Sequence, residues 1–159
     1  MHEGKTRLIE FGRFAGSNRR RRGEGKPESF DFLGFTHRCG NRRSDGGFAL
    51  HRVTTAKRLR AKLQEIKVEL RRRMHHPPHV TGRWLRRVMT GYLNYFAVPG
   101  NRKALELFRR EINRMWVHTL RRRSQKSRGR GWEHYARLIK TWIPSINKRH
   151  PYPNQRLVV

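Results

Sequence analysis

Arginine is the residue type in this chain best suited to do chemistry. It runs from Arg19 through Arg20 and Arg21 to Arg22, returns at Arg121, Arg122 and Arg123, and recurs at helical spacing between. A guanidinium fork grips phosphate through paired hydrogen bonds and stacks on bases. Lys plus Arg number 39 against 11 Asp plus Glu, so complete internal pairing would still leave a formal charge of +28. Repulsion on that scale opposes compaction, and a polyanion that neutralises it while releasing counterions relieves it. Nucleic acid is therefore the expected partner, and the prevalence of Arg over Lys tilts the expectation toward structured RNA. Other chemistries lack their residues. Phosphoryl transfer needs carboxylates gathered around divalent metal, whereas acids such as Asp31 and Asp45 stand apart. The glycine-rich turns have no phosphate-loop pattern. His37 with Cys39, and His75 and His76 with His79, fall short of the ligand set of a structural zinc. The expectation is no catalytic residue, no metal and no cofactor.

Two further classes recede. No apolar run approaches the ~18 residues of a spanning helix, so no membrane partner is expected. The single Cys allows no internal disulfide, which fits a reducing, cytoplasmic setting. Hydrophobic residues make up 35% and aromatics 10%, enough for one small core and too many for a wholly disordered tail.

The elements that must carry these arginines change character along the chain. Thr6–Phe11, Phe30–Thr36 and Phe48–Val53 read as three short strands, with a solvated, mobile loop from Gly16 to Glu28 between the first two. From Thr54 the period becomes helical: Ala56, Leu59, Leu63, Ile66 and Leu70 form one stripe, which His75-His76-Pro77-Pro78 ends. A second helix begins near Thr81, with Trp84, Leu85, Val88, Met89, Tyr92, Leu93 and Phe96 inward. Pro99-Gly100 stops it, and Asn101 is expected to cap a third with Leu105, Phe108, Ile112, Met115, Trp116 and Thr119 inside. Trp132, Tyr135, Ala136, Ile139 and Trp142 predict a short fourth helix closed by Pro144. The fold class expected is mainly α: a small antiparallel β patch over 1–53, a three-helix bundle over 54–123, and a basic extension over 124–159 ending in an irregular tail. No fixed-period repeat is present.

On that scaffold Arg83, Arg87, Thr90 and Asn94 fall on one polar stripe of the second helix, and Arg110, Arg114 and Arg121 on the outer face of the third. With acids too few to interleave, these faces and the adjoining Arg122 and Arg123 are expected to contact RNA. The aromatics at helical spacing, Trp84, Tyr92, Phe96 and Trp116, are expected in the core, with Tyr95 as the one stacking candidate.

Lys5 to Phe14, followed by Phe30-Asp-Phe-Leu-Gly-Phe-Thr-His37, resembles the sixth and seventh sequence blocks of group II intron reverse transcriptases. Leu59 to Met74, Gly91-Tyr-Leu-Asn-Tyr-Phe96 and Phe108 to Arg123 are similar to the maturase-specific, or thumb, domain of that family. Trp132 to Leu157, with His150-Pro-Tyr-Pro153, is similar to the basic DNA-binding tail of its bacterial class C members. The resemblance implies the last strands of a palm, then a thumb that grips intron RNA and assists splicing, then a tail that contacts DNA. It places Phe32, Leu33, Gly34 and Phe35 in a primer-grip-like segment, and Lys5 and Arg7 near the template path. The family's catalytic aspartates sit on a Tyr-x-Asp-Asp turn in an earlier block, which this sequence does not contain. The resemblance therefore implies a binder that does not polymerise alone, with Mg2+ entering only if a separate palm complements it. Its alternatives are a thumb acting in trans with such a palm, restoring RNA-directed DNA polymerase activity, and a non-functional truncated remnant of a mobile element.

Overall fold

Residues 8–42, 44–123, 129–147 and 150 are described by the computed structural model. The fold is mainly α, with a small three-stranded antiparallel sheet ahead of the main helices. Two units divide between Thr55 and Ala56, close to the boundary read at 53/54. The second unit runs on past 123 and includes the extension that the sequence reading set apart.

In the first unit the expected loop contains a helix, α1, Ala15–Arg21. Its end explains why a run of arginines can be helical. Gly23, at φ 70°, lets its own N–H reach the Arg20 carbonyl at 3.1 Å and the Glu24 N–H reach the Arg19 carbonyl at 2.8 Å. This doubly bonded turn closes a helix through a left-handed residue. Arg19, Arg20 and Arg21 occupy the last turn, where positive charge meets the negative end of the helix dipole. Two of the cations are also neutralised at home. Arg22 bonds Glu10, and its Nε reaches Glu24 at 2.8 Å. Arg19 lies 3.2 Å from Glu24 and 3.5 Å from Glu28. Hydrogen bonds from Arg22 hold the Glu10 and Glu24 carboxyls below the usual carboxylate range, with Asn18 adding to the effect on Glu10.

The sheet comprises β1 Ser29–Phe32, β2 Phe35–Asn41 and β3 Phe48–Thr54, in the order β1-β2-β3. Two strand expectations need correction. Leu8–Phe11, the described part of the first candidate, is not a strand. Phe30–Thr36 is not one strand but a hairpin: Phe32 pairs with Phe35 across a two-residue turn in which Leu33 has φ 48° and Gly34 φ 80°. Positive φ at both central positions matches the right-handed twist of the flanking strands. Thr36 Oγ1 donates to Asp31 Oδ1 at 2.6 Å across the same pair of strands. The expected strand at Phe48–Val53 is present as β3.

The second unit holds α2 Ala56–Arg72, α3 Pro78–Phe96, α4 Arg102–Arg122 and α5 Trp132–Trp142. α3 begins three residues ahead of the expected Thr81, because Pro77 is extended at ψ 138° and Pro78 takes the first turn. There its missing N–H costs no helical bond. Asn101 does not cap α4 with its side chain. It is fully buried, and its Nδ2 donates backward to the Phe96 carbonyl at 2.8 Å, tying the α3–α4 turn to the end of α3. One core runs through all four helices. Phe108, Ile112 and Trp116 of α4 meet Ile66 and Leu70 of α2, Leu85, Met89 and Leu93 of α3, and Tyr135 and Ile139 of α5.

A glycine sets how closely α5 approaches α3. A Cβ on Gly82 would stand 2.5 Å from Cγ of the Trp142 ring, a distance no indole can accommodate. Arg86 completes the joint by donating to the Thr141 carbonyl and lying over Trp142, 5.3 Å from the ring centroid. Gly82→Ala is therefore expected to lower stability by about 1–3 kcal/mol through overpacking and to red-shift tryptophan emission as the joint opens. Gly91→Ala, whose Cβ would enter open space, is expected instead to be neutral or to stabilise by up to about 1 kcal/mol. Urea melts followed by fluorescence check both.

Candidate nucleic-acid interface

The α-helical period that buries Leu105, Phe108, Ile112 and Trp116 carries Arg110, Arg114 and Arg121 to the opposite side of α4. All three are exposed. Along the seam of α4 with α2 these side chains line a trough of about 1200 Å³. Leu70, Met74 and Met115 give it an apolar floor. Lys67 and Arg71 of α2, and Arg110, Arg114, His118, Arg121 and Arg122 of α4, line it with polar and charged groups. Its acids among the described residues are Glu106 and Glu111. Glu106 accepts a hydrogen bond from Arg102 Nε at 2.7 Å. Glu111 is shared, 3.2 Å from Arg114 and 3.8 Å from Arg110. The Arg114 and Arg110 side chains remain 75% and 69% exposed. Ion pairs so exposed are worth only about 0–1 kcal/mol, so a phosphate can replace Glu111 as their partner.

The structure brings some of the predicted site residues together and leaves others apart. Arg110, Arg114, Arg121 and Arg122 share the trough. Arg123 is half-buried beyond the end of α4 and does not line it. Arg83, Arg87 and Asn94 are exposed on α3, as their stripe requires, but they also do not line it. Tyr95 is 48% exposed, whereas Tyr92 and Trp116 are buried and Trp84 and Phe96 partly so. Arg73 lies over the Trp84 ring, 4.9 Å from its centroid. Of the primer-grip-like residues, Phe32 and Leu33 are exposed at the hairpin tip, Gly34 is half-buried and Phe35 is buried. Lys5 and Arg7 lie outside the described residues, as does most of the His150-Pro-Tyr-Pro153 tail. His37 stacks on Phe30 at 4.9 Å and 7°, and Cys39 exchanges hydrogen bonds with the Gly12 backbone. Among the described residues no three of His, Cys, Asp and Glu gather at metal-binding distance, and no helix is long and apolar enough to cross a membrane.

Two groups escaped the sequence reading. Lys67 and Arg71, on the solvent side of α2, belong to the trough only because α2 packs beside α4. Trp132, which served only to predict the fourth helix, is 65% exposed. It stands in the first turn of α5, one turn ahead of the core residue Tyr135 and two ahead of Ile139. No family model, curated protein or solved structure matches the chain, so fold and surface chemistry carry the functional reading.

The trough makes the arginines of α4 separable from stability. Arg110→Ala with Arg114→Ala is expected to leave the melt within about 0.5 kcal/mol of the parent, as surface changes do. The pair should weaken RNA binding and flatten its salt dependence by about one unit of log–log slope per arginine. Glu111→Gln should strengthen binding. Thermal melts and RNA titrations at several salt concentrations read out all three effects.

Proposed function

We propose that the chain binds structured RNA through its helical unit, in the manner of a group II intron maturase, and assists RNA folding or splicing without polymerising nucleotides itself. The observation that supports this reading is the trough along α2 and α4, where Lys67, Arg71, Arg110, Arg114, Arg121 and Arg122 face only Glu106 and Glu111 among the described residues. An apolar floor with guanidinium walls suits a phosphate-sugar backbone, because the arginine stems cover the floor while the heads reach anionic oxygens. Intron RNA is the partner that the resemblance of the helices to a maturase thumb suggests. A basic tail contacting DNA, and a cytoplasmic site of action, belong to the same proposal.

A second reading, a thumb supplied in trans to a separate palm-containing polypeptide, is favoured by one feature of the first unit. Phe14, Phe32 and Leu33 are exposed there, and β1 is an edge strand of the sheet, the kind of edge to which another chain adds a strand. Metal-dependent primer extension on mixing the two polypeptides decides it.

Filter binding to a structured RNA across 50–300 mM salt tests the first reading. Engagement of about five phosphates gives a log–log slope near −4. A slope near zero would overturn phosphate-dominated binding.

A further inference from the structure

A second concavity lies beside the trough, between α3, α4 and α5, with a volume of about 620 Å³. Each helix contributes side chains one turn apart: Arg86 and Thr90 from α3, Arg109 and Asn113 from α4, Ala136 and Lys140 from α5. Such i, i+4 pairs share a face, so the notch follows from the packing of the bundle. It lies within the roughly 300–1,000 Å³ range of small-ligand sites, too confined for a duplex.

Three features describe its occupant. The walls are partly apolar, through Ile139, Ile143 and Pro144, and Trp132 stands at the rim with most of its indole in solvent; these surfaces suit a flat, aromatic group. Arg109 Nε and Asn113 Oδ1 are buried without a hydrogen-bond partner in the protein, an arrangement that costs stability and that a shift of either side chain toward a bound group would relieve. No acid lines the notch among the described residues, and Lys140 adds a second cation to Arg109, so an anionic group is favoured beside the flat one. Arg86 is engaged with Thr141 and Trp142 and holds the wall in place. A flat ring, hydrogen-bonding edges and a phosphate together make a nucleotide.

Resting on the RNA-binding reading above, we propose that this notch receives one unpaired nucleotide extruded from a bound RNA. The base stacks on Trp132, its edge is read by the Asn113 amide, and Arg109 and Lys140 attract its phosphate. An amide side chain offers both a donor and an acceptor, and RNA presents readable base edges where nucleotides are unstacked, in bulges and loops. The continuous helix of the same RNA occupies the trough, and Trp132 and Asn113 line both concavities.

The experiment compares two hairpin RNAs of equal length, one fully paired and one with a single-nucleotide bulge, titrated against the full chain at one salt concentration. The parent protein is expected to prefer the bulged RNA by at least about tenfold, the scale of one base stacked on an aromatic ring. Trp132→Ala, and separately Ala136→Leu, which fills the notch without touching a charge, should reduce that preference to twofold or less. Thermal melts confirm that both variants are folded, and Lys140→Gln provides a third, surface-located variant with the same expected loss. Equal affinity of the parent for both RNAs, or a preference that persists in all three variants, overturns the notch while leaving the trough intact. Failure of the parent to bind either RNA overturns the RNA-binding reading and the notch with it.

Discussion

The buried stripe of α4, Leu105, Phe108, Ile112, Trp116 and Leu120, is the contact on which the helical unit depends. It lies against α2, α3 and α5 at once through the shared core, in a chain whose formal charge is +28. Burial of a large apolar side chain contributes roughly 1.5–3 kcal/mol, and several such residues on one helix can outweigh the repulsion between cations held at its surface. The same helix that makes the core therefore displays the charge. Its period of 3.6 residues sends Phe108 and Ile112 one way and Arg110 and Arg114 the other.

Charge is handled differently in the two units. Around α1 the cations find partners nearby: Arg19 and Arg22 are matched by Glu10, Glu24 and Glu28. In the helical unit Glu65, Glu69, Glu106 and Glu111 pair within a turn of their own helix, as Glu69 does with Arg73 at 2.7 Å and Glu65 with Lys62 at 2.7 Å. Such pairs dampen a helix locally without cancelling the excess. The excess is displayed on the outer faces of the helices, among them the seam where α2 and α4 run side by side, which makes the trough a consequence of helix packing as much as of composition.

What could be read from residues alone follows the range over which each signal acts. The three long helices, their inner faces and the outward direction of Arg83, Arg87, Arg110 and Arg114 depend on periodicity within each helix, and that pattern is explicit. The hairpin at Leu33-Gly34 was hidden because leucine seldom occupies positive φ, so Phe30–Thr36 read as a continuous strand. α1 was hidden because its arginines read as solvated, while their partner Glu10 lies on the far side of the helix in sequence and Gly23 reads equally well as a loop glycine. Asn101 has the composition of a cap, but it is buried and turns its amide backward. The trough and the notch depend on which helices become neighbours, which no local pattern specifies, so Lys67, Arg71, Arg109, Asn113 and Trp132 went unassigned.

On the proposed reading, RNA covers the arginines of the helical unit and not those already paired in the first. Arginine-selective modification with phenylglyoxal, mapped by mass spectrometry with and without saturating structured RNA, measures this residue by residue. Protection is expected at Arg71, Arg110, Arg114, Arg121 and Arg122, with Arg19 and Arg22 as reactive as in the free protein. Protection confined to Arg19–Arg22, or unchanged reactivity at the trough arginines, would contradict it.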